Sequence, residues 1–148
     1  MIPSSIKIPV PFDYVFPNGA LLLGVDKSID FDRLREDDNQ ARDDRGERVW
    51  VVKVMDLDPQ AGRFGRSTEV KVKIAAPYQP VPPAPGVPGY PPAVGFTEVT
   101  VTPYTDGSGC RGERRPHKCR ARQGWSVRAG ALVDPTELDT PVAATGAV

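Results

Sequence analysis

Eight of the sixteen residues from Pro77 to Pro92 are proline, and this tract constrains the fold more than any other feature. Proline has no amide hydrogen to donate, and its ring clashes with the preceding helical turn, so the tract cannot form a helix. We expect it to be extended and polyproline-like on the surface. Two interpretations remain open: a semi-rigid crossover between strands, or a ligand for a partner module with an aromatic groove.

The segments around the tract are typical of β-strands, because apolar and polar residues alternate and no helical period of useful length occurs. In the clearest case, Val70, Val72 and Ile74 alternate with two lysines. This alternation predicts that the apolar residues face inward and that Lys71 and Lys73 face outward. Similar patterns predict strands at 20–25, 49–57, 96–104 and 125–132, with an edge segment at 6–10.

Five short strands with long polar connections predict an all-β fold, a small five-stranded barrel like the oligonucleotide/oligosaccharide-binding (OB) barrels, whose closure removes sheet edges. Many such barrels have a helix between the third and fourth strands, and the proline tract excludes it here. An immunoglobulin-like sandwich is the alternative, weakened by the small strand count. We expect one domain over 1–133 with long disordered loops, namely a charged loop at 26–48, a proline-rich crossover at 76–95 and a flexible tail at 134–148.

The charges balance overall but are unevenly distributed along the chain. The sequence has 19 basic and 19 acidic residues, so no general attraction to nucleic acid or membrane follows. Residues 26–58 include 11 acids and 7 bases, whereas residues 107–128 include 7 bases and one acid. One end of the fold is therefore predicted to be electropositive; the alternative is a solvated arginine-rich loop that balances the acidic segment. No long apolar run or signal-peptide pattern occurs, which predicts a soluble cytoplasmic protein without membrane contact.

The sequence contains no pattern that indicates an enzyme or a cofactor. It has no phosphate-binding glycine loop and no dinucleotide motif, and its one histidine, His117, has no evident nucleophile beside it. Together with Cys110 and Cys119, this histidine leaves a zinc site one ligand short. A disulfide between the two cysteines is sterically possible, but free thiols are expected in the cytoplasm. We therefore predict no catalytic residues, no metal and no cofactor.

Basic residues interleaved with aromatic ones predict binding of single-stranded nucleic acid, because cations neutralise phosphates while exposed rings stack on bases. The predicted binding residues lie at a hairpin tip, on the outward strand face and in the arginine-rich connection: Arg63, Phe64, Arg66, Lys71, Lys73, Arg111, Arg114, Arg115, Arg120 and Arg122. Tyr104 and Trp125 border the arginine cluster. Trp125 and Trp50 fall on apolar strands and are predicted to be core residues, whereas Phe64 is predicted to be exposed.

Short motifs spread over nearly the whole chain to about residue 132: IKIPV (6–10), PNGAL (17–21), DFD (30–32), VWVV (49–52), VKVKI (70–74), VTPY (101–104) and WSVRAG (125–130). In these motifs the chain resembles the plasmid replication, integration and excision activator family, carried by integrative and conjugative elements of actinobacteria. The resemblance implies a non-enzymatic regulator that promotes replication and excision of such an element.

Two kinds of regulator fit these expectations. One binds nucleic acid, in particular single-stranded DNA exposed during element replication or transfer. The other binds no DNA and recruits the element's own replication or recombination proteins, and a structural β-domain that only tethers partners is a further alternative. The chain shows no helix-turn-helix pattern, which argues against sequence-specific binding of duplex DNA.

Overall fold

The computed structural model describes residues 1–63, 67–107 and 121–138, and in them the chain forms one curled, barrel-like sheet. The elements are β1 (Ile8–Pro9), α1 (Phe12–Val15), β2 (Ala20–Lys27), β3 (Val49–Asp56), β4 (Glu69–Ala75), β5 (Ala93–Thr97), β6 (Thr100–Asp106), β7 (Arg122–Ala129), β8 (Ala131–Val133) and α2 (Pro135–Leu138), with a 3-10 turn at Phe31–Arg33. The strand order is β1-β6-β7-β4-β3-β2-β5-β8. The all-β prediction is confirmed, but the predicted count of five strands is wrong, since the described residues form eight.

The higher count arises because two predicted strands are each divided in two. β5 and β6 are separated by two residues, and β7 and β8 by one. Thr97 pairs with Ala131, and Thr100 pairs with Arg128. Each partner is displaced by three residues in opposite directions along the chain, so the antiparallel register continues across the division. The four strands therefore form one long antiparallel hairpin with a bend. Through β5 one half pairs with β2, and through β7 the other half pairs in parallel with β4.

The bend depends on two residues in contact, Glu98 with an unusual backbone conformation and Gly130 without a side chain. Glu98 adopts a left-handed backbone with φ of 50°, which is rare for a residue with a side chain. Gly130 lies against it, and a Cβ at this position would come within 3.1 Å of the Glu98 Cβ. The amide of Gly130 donates a 2.8 Å hydrogen bond to the Thr97 carbonyl. Glycine thus allows the two segments to stay close where they change direction.

The core lies inside the curl and consists of inward-facing strand residues, joined by Phe16 at the end of α1 and by Val99 between β5 and β6. Its buried members are Phe16, Ala20, Val52, Val54, Val72, Ile74, Val94, Phe96, Val99 and Val127. The predicted facing of β4 is confirmed, and Trp50 is buried with its indole Nε1 donating to the Ala76 carbonyl at 2.9 Å. The core prediction for Trp125 is wrong, because its side chain is 50% exposed. β7 pairs with β4 only from Val127 onward, so Trp125 precedes the paired segment.

The charged loop predicted at 26–48 is shorter, because β2 extends to Lys27; the connection 28–48, called the charged loop below, also differs from the disordered loop that its composition predicts. It forms two isolated bridges, Ile29 with Gln40 and Arg42 with Arg48. The Gln40 side chain is buried, and its Nε2 donates to the Val49 carbonyl at 2.9 Å. Backbone hydrogen bonds also join Ser28 to Ala41 within the loop and to Val49 at the start of β3. Hydrogen bonds rather than an apolar core thus organise this segment, which a composition argument does not detect.

The proline-rich crossover and the tail agree with their predictions to different extents. Residues 76–92 contain neither helix nor strand, which confirms that the prolines exclude a helix. β5 already begins at Ala93, inside the predicted crossover. Within the predicted tail, α2 packs against β5, and a Cβ at Gly95 would come within 2.5 Å of the Leu138 side chain. Residues 139–148 lie outside the described part of the chain, and none of the described helices is long and apolar enough to cross a membrane.

Replacing Ile74 by alanine tests the facing of β4. Its side chain is 2% exposed, so we expect the free energy of unfolding to fall by about 2–5 kcal/mol. Lys71→Ala is the matched control on the outer face of the same strand, where a change within ~0.5 kcal/mol is expected. Urea denaturation followed by tryptophan fluorescence measures both. Equal losses in the two variants would contradict the assigned facing.

Candidate nucleic-acid interface

Three basic side chains share the outer face of β4 and β7. Lys71 and Lys73 alternate with the buried Val72 and Ile74, which directs the lysines away from the core. The parallel pairing of β4 with β7 places Arg128 directly beside Lys73. We call Lys71, Lys73 and Arg128 the basic face. It joins one residue pair predicted from the sequence with an arginine that is distant along the chain.

The cations of the basic face form no ion pair within the described residues, although Asp43 and Glu98 line a small cavity beside Lys73 and Arg128. None of its three side chains forms a salt bridge there, whereas Lys53, opposite Lys71 on β3, has its Nζ 3.3 Å from the Asp26 carboxylate. Adjacent cations that form no direct ion pair repel one another and attract a polyanion. The basic face is thus a positive patch on a chain whose formal net charge is zero.

An exposed aromatic ring continues the same surface onto β6. Tyr104 pairs with Gly124 of β7 and is 52% exposed. The ring covers the glycine so closely that a Cβ at position 124 would overlap it. Thr102, two residues before Tyr104 on β6, pairs with Ser126, and its hydroxyl donates to the Ile6 carbonyl at 2.7 Å. Cations, the Ser126 hydroxyl and a ring therefore follow one another across β4, β7 and β6.

A cleft of about 600 Å³ separates the basic face from the charged loop. Lys73 and Arg128 lie on its sheet side together with Lys7, which precedes β1. The loop side contains residues of both signs: Arg42, Asp43, Asp44 and Arg45. A larger depression of about 860 Å³ lies beside α1 and α2, but no basic residue lines it. Of these two cavities, only the cleft suits a polyanion.

The Asp38 carboxylate holds the charged loop together through two ion pairs, one of them with Arg42 of the cleft. Asp38 accepts hydrogen bonds from Arg42 at 3.1 Å and from Arg48 at 3.2 Å. These two guanidinium groups, Arg42 foremost, hold the pKa of the Asp38 carboxyl below its usual range. Arg48 also donates to the Gln40 side chain at 3.0 Å, which connects the ion pairs to the buried amide. The two arginines thus act mainly within the loop.

The structure places four of the ten predicted binding residues. Lys71 and Lys73 lie on the basic face as expected, Arg63 is exposed in the connection between β3 and β4, and Arg122 begins β7. The other six predicted residues lie outside the described residues: Phe64, Arg66, Arg111, Arg114, Arg115 and Arg120.

The candidate metal ligands Cys110, His117 and Cys119 also lie outside the described residues. The described residues contain no group of acids, histidines and cysteines that would hold a metal ion.

The connections that carry the remaining predicted residues leave one end of the sheet. Because β4 and β7 run in parallel, their first residues lie toward the same end. The β3–β4 connection ends there, and so does the connection 107–121 between β6 and β7. The charged loop joins β2 to β3 at the opposite end. The basic face therefore extends between the charged loop and the two arginine-bearing connections.

Sequence reasoning missed Arg128 as a site residue, although the alternation of residues around it indicates that its side chain faces outward. Arg128 follows the buried Val127, so alternation alone places it on the outer face. Its position beside Lys73 has no local signal, because the pairing joins strands more than fifty residues apart. Lys7 likewise reaches the cleft through the short pairing of β1 with β6.

Comparison of the chain with protein-family models, with curated proteins and with solved structures gave no significant match.

Replacing Asp38 by asparagine tests the organisation of the charged loop. A carboxyl with a lowered pKa stabilises the fold above its unfolded-state pKa, and this contribution is lost as the pH falls through the folded-state pKa. We expect D38N to lower the Tm near neutral pH, with the difference from the wild type vanishing in acid. Asp44→Asn is the control, because the Asp44 carboxylate has no hydrogen bond or salt bridge within the described residues. A Tm difference for D38N that is independent of pH in calorimetry would contradict this role.

Proposed function

We propose that this chain is an OB-like module that binds single-stranded nucleic acid across its basic face. The observation that carries the proposal is the placement of three cations, none in a salt bridge within the described residues, beside an exposed tyrosine on one continuous strand surface. Phosphates are neutralised by such cations, and a ring stacks on a base whatever its identity. We infer binding with little sequence preference.

The strand connectivity supports the OB-like part of the proposal. If the bent segments 93–106 and 122–133 are each taken as one continuous strand, five long strands follow in chain order. The first pairs with the second and fourth, the second with the third, and the third pairs in parallel with the fifth. The fourth and fifth form the bent hairpin. This is the connectivity of an OB barrel, with a proline tract in place of the helix.

The location of the basic face also supports the proposal. OB barrels bind oligonucleotides across their second and third strands, between the connection that follows the first strand and the one that joins the fourth to the fifth. Here the third strand is β4, which carries Lys71 and Lys73. The flanking connections are the charged loop and residues 107–121, which contain most of the predicted arginines. Composition, connectivity and surface charge thus point to the same region.

A single strand suits this surface better than a duplex. The described helices, α1 and α2, have four residues each, so neither offers a recognition helix for a major groove. A stacking ring such as Tyr104 needs a base face that is not already stacked. Bases of a single strand provide that face without the cost of unpairing.

The resemblance to the replication, integration and excision activator family extends this proposal to a biological role. We infer a non-enzymatic cytoplasmic regulator that binds single-stranded DNA exposed when a mobile element replicates or transfers. The basic face supports this role over one in which the chain binds only other proteins of the element.

Fluorescence anisotropy of labelled oligonucleotides over a salt series tests the proposal. We expect Arg128→Ala and Lys73→Ala each to weaken binding for all sequences and to reduce the salt slope by about 0.7, the value for one phosphate contact on a single strand. Lys53→Ala is the control, since its ammonium is already paired with Asp26. Absence of any binding tighter than about 100 μM at low salt would instead favour recruitment of proteins.

Replacing Tyr104 by alanine separates stacking from charge in the same assay. Loss of one stacked base is expected to cost about 1–3 kcal/mol. The salt slope should stay unchanged, because the ring releases no counterions. Thr105→Ala, one residue further along β6, is the matched control on the opposite side of the strand. A changed slope for Tyr104→Ala, or equal losses in both variants, would argue against stacking.

A further inference from the structure

Several apolar side chains of the proline tract are exposed to solvent. Tyr78, Val81 and Tyr90 are 83%, 83% and 69% exposed, and Val87 is 58% exposed. Clustered exposure of apolar residues on a folded chain marks an interaction surface. The tract that carries them is hydrogen-bonded to β2, and β3 separates β2 from the basic face.

The middle of the tract is straight, and two of its prolines on one side are half-buried. Residues 79–85 contain no turn or bend, and proline fixes both its own backbone and that of the residue before it near the polyproline conformation. That helix repeats every three residues. Pro80 and Pro83, three apart, are half-buried, whereas the residues that follow each of them are exposed.

The exposed residues form two apolar-proline pairs at the same spacing. Val81–Pro82 and Ala84–Pro85 are all exposed, and Pro83 between the pairs faces the protein. Segments with prolines three apart dock into grooves lined by aromatic side chains, where the preformed helix loses little entropy. The two pairs therefore present the side chains that such a groove accepts, on the side away from the barrel.

The surrounding chain holds this segment in place at both ends. The Ala76 amide donates to the Arg48 carbonyl at 2.9 Å, and the Leu22 amide donates to the Pro92 carbonyl at 2.9 Å. The Gln79 side chain donates to the Val25 carbonyl at 3.4 Å. These contacts pre-order the ligand, which lowers the cost of association.

We propose that residues 81–85 are a docking site for a partner domain with an aromatic-lined, polyproline-binding groove. The charge pattern determines the chemistry of that groove, because no residue from 75 to 97 is charged. The partner accordingly recognises the segment through aromatic packing and hydrogen bonds to its carbonyls, without an acidic or basic pocket. This interaction is independent of the nucleic-acid surface.

Titration of the isotope-labelled full chain tests the proposal, with an SH3 domain, a WW domain and an EVH1 domain as separate probes. We expect at least one probe to bind with a Kd below about 1 mM and to shift the amides of Val81, Ala84 and Gly86. Absence of binding by all three probes at that concentration, or shifts confined to other regions, would overturn it.

A pair of double variants with equal proline spacing locates the site. We expect P82A/P85A to weaken probe binding roughly 30-fold, the loss given by truncating a ~2 kcal/mol hot spot. P88A/P91A has the same spacing, but Val87 and Tyr90 close a turn there, with Gly89 at φ of 83°, so that segment cannot fit a straight groove. The affinity of the P88A/P91A variant for the probe should therefore equal that of the wild type. Equal effects of the two double variants would overturn the assignment to residues 81–85, and circular dichroism confirms that both variants are folded.

Discussion

The bend at Glu98 and Gly130 is the constraint on which the sheet depends. A straight hairpin of this length would pair on one side of the sheet only, whereas the bent one pairs with β2 through β5 and with β4 through β7. A left-handed backbone at a residue with a side chain costs about 1–2 kcal/mol. The burial of Val99 next to it and the hydrogen bond from Gly130 to Thr97 offset this cost.

The same bend determines the surface chemistry. It directs β7 along β4 in parallel, and this pairing places Arg128 beside Lys73. The two cations come from segments that local sequence does not relate, so the basic face is a product of the fold. Without that pairing, β4 would carry two lysines on a sheet edge, a pattern that by itself only protects an edge from aggregation.

Local patterns predicted most of the strands and only part of the site. Alternation located the strand that contains Val72 and the lysines on its outer face, because facing is a property of adjacent residues. The bend was not predictable, since glutamate has no preference for a left-handed backbone. The order of the charged loop was also missed, because it rests on the pairing of Asp38 with two arginines and on one buried glutamine, Gln40. Side-chain hydrogen bonds of this kind leave no period in the sequence.

A chain of zero net charge can still bind a polyanion if its charges are separated by more than the screening distance. At physiological ionic strength that distance is ~8 Å, so a phosphate responds to nearby side chains rather than to the whole molecule. On the proposed surface, Asp43 and Asp44 line the cleft at the charged-loop end. Their negative charge opposes a polyanion there. A bound strand is expected to lie toward Lys71 and Tyr104, and the acidic wall limits how far it extends into the cleft.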